Sequence, residues 1–224
     1  GNTWLAKLKT VARVVSAPWK KYMAIRKKKT KLNHLLEYSD KVVVLSSLAE
    51  SKLRHLNKDI AVIANSLPFS VEEPSLLENK RMIMVGRLSV EKGYERIVPL
   101  AKKLMQDFPD WKIDIFGNGD LKEEYLNASV HLITSYNEAM PMVILEAQCC
   151  GLPVIGYYCE GTASLIRNGE TGFVVQNEDE FYDRMKQMIQ NETLRIDMGK
   201  RARMESQKYS IENIEKQWTE LLEA

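Results

Sequence analysis

Two glutamates, Glu138 and Glu146, stand eight residues apart in the segment NEAMPMVILEAQCCGLP, residues 137–153. Pro141 suits the first position of a helix, because its missing N–H costs little there. Amides at the start of a helix attract phosphate, while carboxylates accept hydrogen bonds from sugar or ribose hydroxyls. The spacing therefore predicts a sugar-nucleotide site. The alternative is a solvated Glu138 in a loop and a Glu146 satisfied locally on an amphipathic helix.

A second segment, MIMVGRLSVEKGYE at residues 82–95, carries positive charge where an anion could bind. An apolar strand leads to Gly86, and Arg87 and Lys92 follow in a short loop. Open α/β folds bind ligands at the carboxyl ends of their strands. Arginine can hold two phosphate oxygens at once and lysine adds a compact charge, so the pair resembles a diphosphate clamp. Alternatively, both are ordinary surface charges.

Five segments, in order, resemble the retaining GT-B glycosyltransferases known as glycosyl transferases group 1, mainly their C-terminal, donor-binding domain. The segments are IAVIANSLPF, GRLSVEKG, WKIDIFGNGDLKEE, the two-glutamate segment and GLPVIGYYCEGTASLIRNGETGFVV. The resemblance implies that Arg87 and Lys92 hold the diphosphate of the donor. It also implies that Glu138 contacts the donor sugar and that Glu146 binds ribose hydroxyls.

The resemblance implies a catalytic group of Arg87, Lys92 and Glu138. The predicted donor-binding set is Gly86, Arg87, Lys92, Gly117, Glu138, Ala139, Met140, Pro141, Met142, Val143 and Glu146. Residues 161–163 resemble the family's small-residue loop near the donor sugar. No metal ion or cofactor is expected, because the chain has no Asp-x-Asp pair and the family is metal-independent.

Two departures from the family pattern affect the expected site. Ala139, Met140 and Pro141 stand where the family often has Gly-Phe-Gly, so positive φ is less available and one N–H is lost. After Glu124 the family continues through a helix, a strand and a helix, whereas here Tyr125 follows at once. Some tens of residues are missing, as unobserved sequence or as a real deletion. The family's base contacts come largely from that region, so the base stays open, with UDP- or GDP-linked sugars as expected donors.

Short apolar and β-branched runs alternate with helical patterns along the chain. The predicted strands are residues 41–45, 61–63, 81–85, 112–116, 130–134, 153–157 and 172–175. The predicted helices are residues 94–108, 181–190, 192–208 and 211–222. This alternation predicts an α/β, Rossmann-like fold, a parallel sheet with helices on both faces.

The chain has 224 residues, whereas a complete GT-B enzyme needs two Rossmann-like domains of comparable size. Residues 1–58 are predicted to combine a basic helical segment with the last strand–helix unit of the acceptor domain. Residues 59–224 are predicted to form the donor domain. Because most of the acceptor domain is absent, its residues cannot be named. His34, His55 and His131 are expected to be structural or exposed.

The first 31 residues contain ten lysines or arginines and no acid, while the remainder holds 22 basic and 30 acidic residues. Interleaved apolar residues predict contact of residues 1–31 with an anionic membrane. The alternative is a solvated helix, or one packed on the missing domain. No nucleic-acid module accompanies the charge, so no nucleic-acid partner is expected. The three cysteines have no metal-binding spacing, and the sequence has no membrane-spanning run and no signal peptide. These features predict a cytoplasmic enzyme. If the basic segment binds lipid, the enzyme is expected at the inner face of the membrane.

The predicted function is sugar transfer, with retention at the anomeric carbon, from a nucleoside diphosphate sugar to a glycan or lipid-linked acceptor in cell-surface polysaccharide synthesis. Two alternatives remain open. One is a non-catalytic module that binds nucleotide sugars. The other is a nucleotide-sugar epimerase, which shares the GT-B architecture.

Overall fold

The computed structural model of the protein describes residues 12–13, 33–117 and 119–223. It divides into two compact units. The first unit comprises the described residues up to Asn65 together with Glu212 and those after it. The second unit comprises Ser66–Ile211. The basic segment predicted to contact a membrane lies outside the described residues, apart from Ala12 and Arg13.

The first unit is built on three parallel strands, β1 (Ala12–Arg13), β2 (Val42–Val44) and β3 (Ile60–Val62), in that order. Helix α1 (Ser47–Leu53) connects β2 to β3, and the side chain of Ser46 caps it by accepting a hydrogen bond from the third helical residue. The valines of β2 are fully buried, so the predicted strand–helix unit is present.

The second unit contains five parallel strands in the order β5-β4-β6-β7-β8. They are β4 (Arg81–Val85), β5 (Lys112–Phe116), β6 (Val130–Ile133), β7 (Val154–Tyr157) and β8 (Gly172–Val175). The chain passes from β4 to β5 in one direction and then crosses to β6 on the other side of β4. Ligand sites of open α/β sheets lie at such a reversal, here between the carboxyl ends of β4 and β6.

Helices cover both faces of this sheet, which confirms the predicted α/β fold class. They are α2 (Ile97–Asp107), α3 (Lys122–Leu126), α4 (Met142–Cys149), α5 (Glu160–Leu165), α6 (Glu178–Gln190) and α7 (Glu192–Ser206). On one face, alternate strand residues such as Met82, Leu132 and Ile155 pack with α2 and α6 in one apolar core. On the other face, α4 contacts β6 and β7 and buries Ile144 and Leu145.

The predicted helix over residues 94–108 is wrong at its start. Two 3₁₀ turns, Val90–Lys92 and Tyr94–Arg96, precede α2, and between them Gly93 adopts a left-handed conformation with φ of +62°. An α-helix cannot run through that conformation, so α2 begins only at Ile97.

The two units also differ from the predicted domains. Because β3 pairs with β2, the first unit reaches Asn65 rather than residue 58. The last helix, α8 (Ile211–Glu223), joins the first unit from Glu212 onward, where Ile214 packs with Val43 and Ile63. Among the described residues, no helix combines the length and hydrophobicity that a membrane crossing requires.

The connection from β5 to β6 is short and holds the five-residue helix α3. Arg81 in β4 anchors it, because its guanidinium binds Asp114 of β5 at 2.6 Å and Glu124 of α3 at 2.5 Å. Doubly wound sheets commonly carry a further strand outside the one that corresponds to β5. Within the described residues no strand pairs with that outer edge.

Candidate functional site

The loop after β4 is fastened to the ends of β4 and β6. Tyr94 donates a hydrogen bond to the carbonyl of Gly86 at 2.7 Å. The hydroxyl of Thr134, just after β6, donates to the carbonyl of Lys92 at 2.8 Å. Position 93, next to Lys92, requires glycine, since a Cβ there would lie 2.5 Å from the carbonyl oxygen of Thr134. The switch point of the sheet therefore holds Lys92 in a defined position.

Lys92 forms an ion pair with Glu138, and 2.6 Å separates the ammonium from Oε1. Only 21% of the lysine side chain and 15% of the glutamate side chain are exposed, so solvent screens the pair poorly. The carbonyl of Glu138 also accepts a hydrogen bond from the amide of Gly161 at 3.1 Å. A side chain at position 161 would collide with that carbonyl. Two of the three predicted catalytic residues are therefore in contact, and the predicted small-residue loop supports one of them.

Glu146 lies half-buried on α4, where Oε2 accepts a hydrogen bond from the hydroxyl of Tyr125 at 2.9 Å. Burial raises the pKa of Glu146, and the hydrogen bond from Tyr125 acts in the opposite direction. Tyr125 itself is fully buried, and burial is the main reason that its pKa is raised. The phenol therefore stays protonated and acts as a donor.

His131 lies in the middle of β6 and is fully buried, as a structural histidine is expected to be. Its ring lies 5.8 Å from that of Tyr125, between centroids. Neither ring nitrogen has a hydrogen-bond partner among the described residues. Burial, with a smaller effect of the charge on Lys92, lowers the pKa of His131 to about 3. The imidazole is therefore neutral near neutral pH and adds no charge to the site.

Arg87, the other predicted phosphate ligand, is exposed and forms no ion pair with any described residue. The neighbouring Leu88 and Val90 are also largely exposed. The structure thus brings Lys92 and Glu138 together but leaves Arg87 outside their contact. Gly117, at the end of β5, is exposed, and a Cβ there would meet no atom within 4 Å.

Pro141 precedes α4 instead of occupying its first helical position as predicted. Its ψ angle of 105° is extended, so it is the N-cap residue, and no side chain caps the helix. The first backbone hydrogen bond runs from Ile144 to Pro141, which leaves the amides of Met142 and Val143 without intrahelical partners. Both residues are half-buried, as is Ala139, whereas Met140 and Pro141 are buried. The predicted loop therefore does lead to a helix start whose first amides have no intrahelical partner.

Tyr94 and Tyr125, which lie beside Glu138 and Glu146, were not predicted as site residues. Tyr94 stands two residues after Lys92, and its pKa is raised by burial and then by the charge of Glu138. This close spacing is a signal that sequence analysis could have used. Tyr125 precedes Glu146 by 21 residues and has no comparable signal, because only the packing of α3 against α4 brings the two together.

This chain is similar in sequence and fold to known proteins. Residues 118–205 match the family model described as glycosyl transferases group 1. The chain is 26% identical over 215 residues to an uncharacterized glycosyltransferase of Haemophilus influenzae, covering 82% of this chain and 61% of that protein. It is 29% identical over 222 residues to the amylovoran biosynthesis glycosyltransferase AmsD of Erwinia amylovora, covering 82% and 62%. The chain thus spans about three-fifths of the length of these curated relatives.

Both alignments are longer than the part of this chain that they match. The matched 82% of 224 residues is about 184 residues, against alignment lengths of 215 and 222. About 30 to 40 positions of each alignment therefore have no counterpart in this chain.

Solved structures share the fold. Anabaena Alr3699/HepE in complex with UDP and glucose gives a TM-score of 0.80 at 17% identity, covering 99% of this chain and 73% of that chain. A mutant of S. aureus TarM in complex with fondaparinux, alpha-GlcNAc-glycerol and UDP gives 0.78 at 16% identity, covering 95% and 50%. The family match falls on the part of the second unit that carries Glu138 and Glu146, and the chain shares the GT-B fold of these solved glycosyltransferase structures.

Proposed function

We propose that the second unit binds the donor of a retaining glycosyltransferase, a nucleoside diphosphate sugar. The Lys92–Glu138 pair carries this proposal, because it places one cation and one carboxylate together at the switch point of the sheet. The start of α4 adds amide donors, and Glu146 adds a second carboxylate farther along the same helix. These are the groups that a diphosphate, a sugar and a ribose require.

In the proposed reaction, negative charge develops on the diphosphate as the glycosidic bond breaks. Lys92, Arg87 and the amides at the start of α4 stabilise that charge, each by about 3 kcal/mol of barrier if they behave like oxyanion donors elsewhere. The diphosphate replaces Glu138 as the partner of Lys92, and the released carboxylate accepts hydrogen bonds from the sugar. Glu146 positions the ribose, and neither glutamate needs to transfer a proton.

No metal ion or cofactor is part of the proposal, since Lys92 and Arg87 supply the positive charge in the proposed reaction. UDP and GDP are the proposed leaving groups. UDP is favoured by the similarity to Alr3699/HepE and TarM, which were both solved with UDP. The proposed acceptor is a glycan or lipid-linked glycan in polysaccharide synthesis, which the similarity to the amylovoran enzyme supports.

We also propose that the chain lacks a helix–strand–helix unit between Glu124 and Tyr125. Two observations support this: no described strand pairs with the outer edge of β5, and some alignment positions have no counterpart in this chain. If the deletion is native, a binding module without catalysis becomes the favoured alternative. Sequencing the native gene across this junction distinguishes a deletion from unobserved sequence.

The first test is calorimetric titration of the 224-residue protein with UDP, GDP and ADP. We expect saturable binding of one nucleotide, and at least 10-fold weaker binding in Lys92→Ala, since a charge-assisted hydrogen bond contributes about 1.5–3 kcal/mol. Lys80→Ala is the matched control, because Lys80 also pairs with an acid, Asp110 at 2.9 Å, but at the amino ends of the strands. Equal affinities in the two variants would contradict the assignment of Lys92.

Enzymatic assays separate the remaining alternatives. Incubation with the donor alone changes the sugar only if the protein is an epimerase. With an acceptor present, NMR of the anomeric proton in the product reports retention or inversion. Donor binding without turnover in the native full-length protein would favour the binding module.

Membrane contact through residues 1–31 and a location at the inner face of the membrane are also proposals. They rest on ten basic residues without an acid in this stretch. Sedimentation with anionic vesicles, compared with neutral vesicles of equal size, tests them. We expect binding to the anionic vesicles alone, and its loss on removal of residues 1–31.

A further inference from the structure

The hydrogen bond between Tyr125 and Glu146 is built on a rigid support. The side chain of Tyr125 is fully buried, and its ring packs beside that of His131. The short helix α3 that carries it is fastened to the sheet through Glu124, which Arg81 holds at 2.5 Å. Tyr125 therefore presents its hydroxyl from a fixed position.

The chemistry of the pair leaves one carboxylate oxygen for another donor. An ionised carboxylate accepts hydrogen bonds at both oxygens, whereas a protonated phenol has one hydrogen to donate. Tyr125 uses that hydrogen on Oε2 of Glu146. Among the described residues, no group donates a hydrogen bond to Oε1. The carboxylate thus has one oxygen held by the protein and one available.

We propose that Tyr125 is a positioning residue of the donor site, whose hydroxyl orients the Glu146 carboxylate so that its other oxygen accepts a hydrogen bond from a ribose hydroxyl. This inference rests on the proposed function, because it requires a nucleoside diphosphate in the site. It assigns a role in ribose recognition to a residue within the short connection from β5 to β6, where the sequence departs from the family pattern.

A second tyrosine of the same unit supplies a matched comparison. Tyr182 is also almost fully buried, and its hydroxyl also donates to a carboxylate, that of Asp107 at 2.7 Å. Asp107 ends α2 and belongs to no part of the candidate site. Tyr125→Phe and Tyr182→Phe remove the same atom from two tyrosine–carboxylate pairs and keep both buried rings.

The test compares two ligands by calorimetry: the nucleoside diphosphate that binds the unaltered protein, and its 2′,3′-dideoxy form, which lacks the ribose hydroxyls. We expect Tyr125→Phe to weaken binding of the first by about 10-fold, the usual scale of one lost hydrogen bond. Binding of the dideoxy form should change less than about twofold, because it makes no contact that Tyr125 supports. Tyr182→Phe should leave both affinities unchanged.

A double-mutant cycle with Glu146→Gln adds a second measurement. If Tyr125 acts through Glu146, its loss should have little further effect once Glu146 has been replaced. The inference would be overturned if Tyr125→Phe weakened both ligands equally, had no effect, or had the same effect in the Glu146→Gln background. Absence of nucleoside diphosphate binding by the unaltered protein would overturn the proposed function as well, so the two failures are distinguishable.

Discussion

At the scale of single residues, pairing with an opposite charge or burial decides which groups of the candidate site can contact a ligand. Lys92 and Glu138 neutralise each other, and both are mostly withdrawn from solvent. A ligand that needs either group has to open this pair first. The buried imidazole of His131 stays neutral beside them, because its pKa is lowered to about 3 by burial and by the charge of Lys92.

Replacing Glu138 by glutamine should separate the affinities for the free nucleotide and for the nucleotide sugar. Without its counter-ion, Lys92 no longer exchanges partners when a diphosphate arrives, so we expect UDP to bind a few-fold more tightly. The preference for the nucleotide sugar over the free nucleotide should fall, because the proposed sugar contact is weakened. Calorimetry measures both affinities. Asp110→Asn, which removes the partner of Lys80, is the control, and weaker UDP binding in Glu138→Gln would contradict the exchange.

Acid should destabilise the protein through His131. The unfolded state binds a proton as pH falls below about 6.5, whereas the folded state resists protonation until about pH 3. The free energy of unfolding should therefore fall across this window by up to roughly 4 kcal/mol. We expect His131→Leu to remove this pH dependence and to be no less stable at pH 7, since two unpartnered nitrogens disappear.

Urea unfolding between pH 3 and 7 measures the effect of His131→Leu. The control is His55→Leu at an exposed histidine, which should leave the pH dependence intact. An unchanged pH profile in His131→Leu would show that other groups cause the acid destabilisation.

At the scale of elements, turns and helix starts decide where the site residues lie. Gly93 separates two 3₁₀ turns and lets Lys92 approach the strand end at Thr134. Gly161, in the first turn of α5, lets that helix approach the backbone of Glu138. In both places the close approach of two backbones, rather than side-chain packing, brings β4, β6 and α5 to one point.

Gly93→Ala should lower the free energy of unfolding more than an alanine substitution does at a left-handed glycine without close neighbours. Gly169 also has positive φ, at +80°, but a Cβ there would meet no atom within 4 Å, so Gly169→Ala should cost only about 1 kcal/mol of backbone strain. At Gly93 a collision with the Thr134 carbonyl is added, and we expect a loss of about 3 kcal/mol or more. Urea unfolding measures both variants.

Nucleotide titration then tests the functional consequence of Gly93→Ala. The substitution displaces the turn that carries Lys92, so UDP binding should weaken in Gly93→Ala and stay normal in Gly169→Ala. Similar losses of stability in the two variants would mean that the loop relaxes away from Thr134.

At the scale of the whole molecule, each of the two units has hydrophobic clusters of its own among the described residues. In the first unit, α8 supplies Ile214 and partly buried Trp218 to the cluster around Val43 and Ile63. The last residues of the chain thus stabilise strands formed near its beginning. The second unit has its own larger core between the sheet, α2 and α6.

Ile214→Asp should destabilise the first unit selectively. A buried, unpaired carboxylate replaces an apolar contact with Val43 and Ile63, at a cost of about 3 kcal/mol or more. Hydrogen exchange should therefore become faster in β2, with little change in β4 and β6. Leu222→Asp on the same helix, where the side chain is exposed, is the control. Equal acceleration in both units would mean that they unfold together.

Much of the sheet could be predicted from the sequence. The strands at residues 81–85, 112–116 and 172–175 agree with the structure to the residue, because each is a short run of apolar or β-branched residues between turn signals. The start of α2 and the position of Pro141 were wrong by a few residues, since helix ends depend on local capping and on the left-handed Gly93. Lys92 and Glu138 were predicted as site residues from their charge, their order and the resemblance to the glycosyltransferase family.

The sequence by itself determined the fold class and most element positions, because hydrophobic periodicity is a local property. It also predicted the two carboxylates as site residues, from helix-start chemistry and the family resemblance. Only the tertiary structure decided that Lys92 contacts Glu138 across 46 residues and that Tyr125 contacts Glu146. Such contacts depend on the order of strands in the sheet and on which helix covers which strand. The strand order and the helix positions depend on how the whole chain buries its apolar residues, so they cannot be read from any single segment.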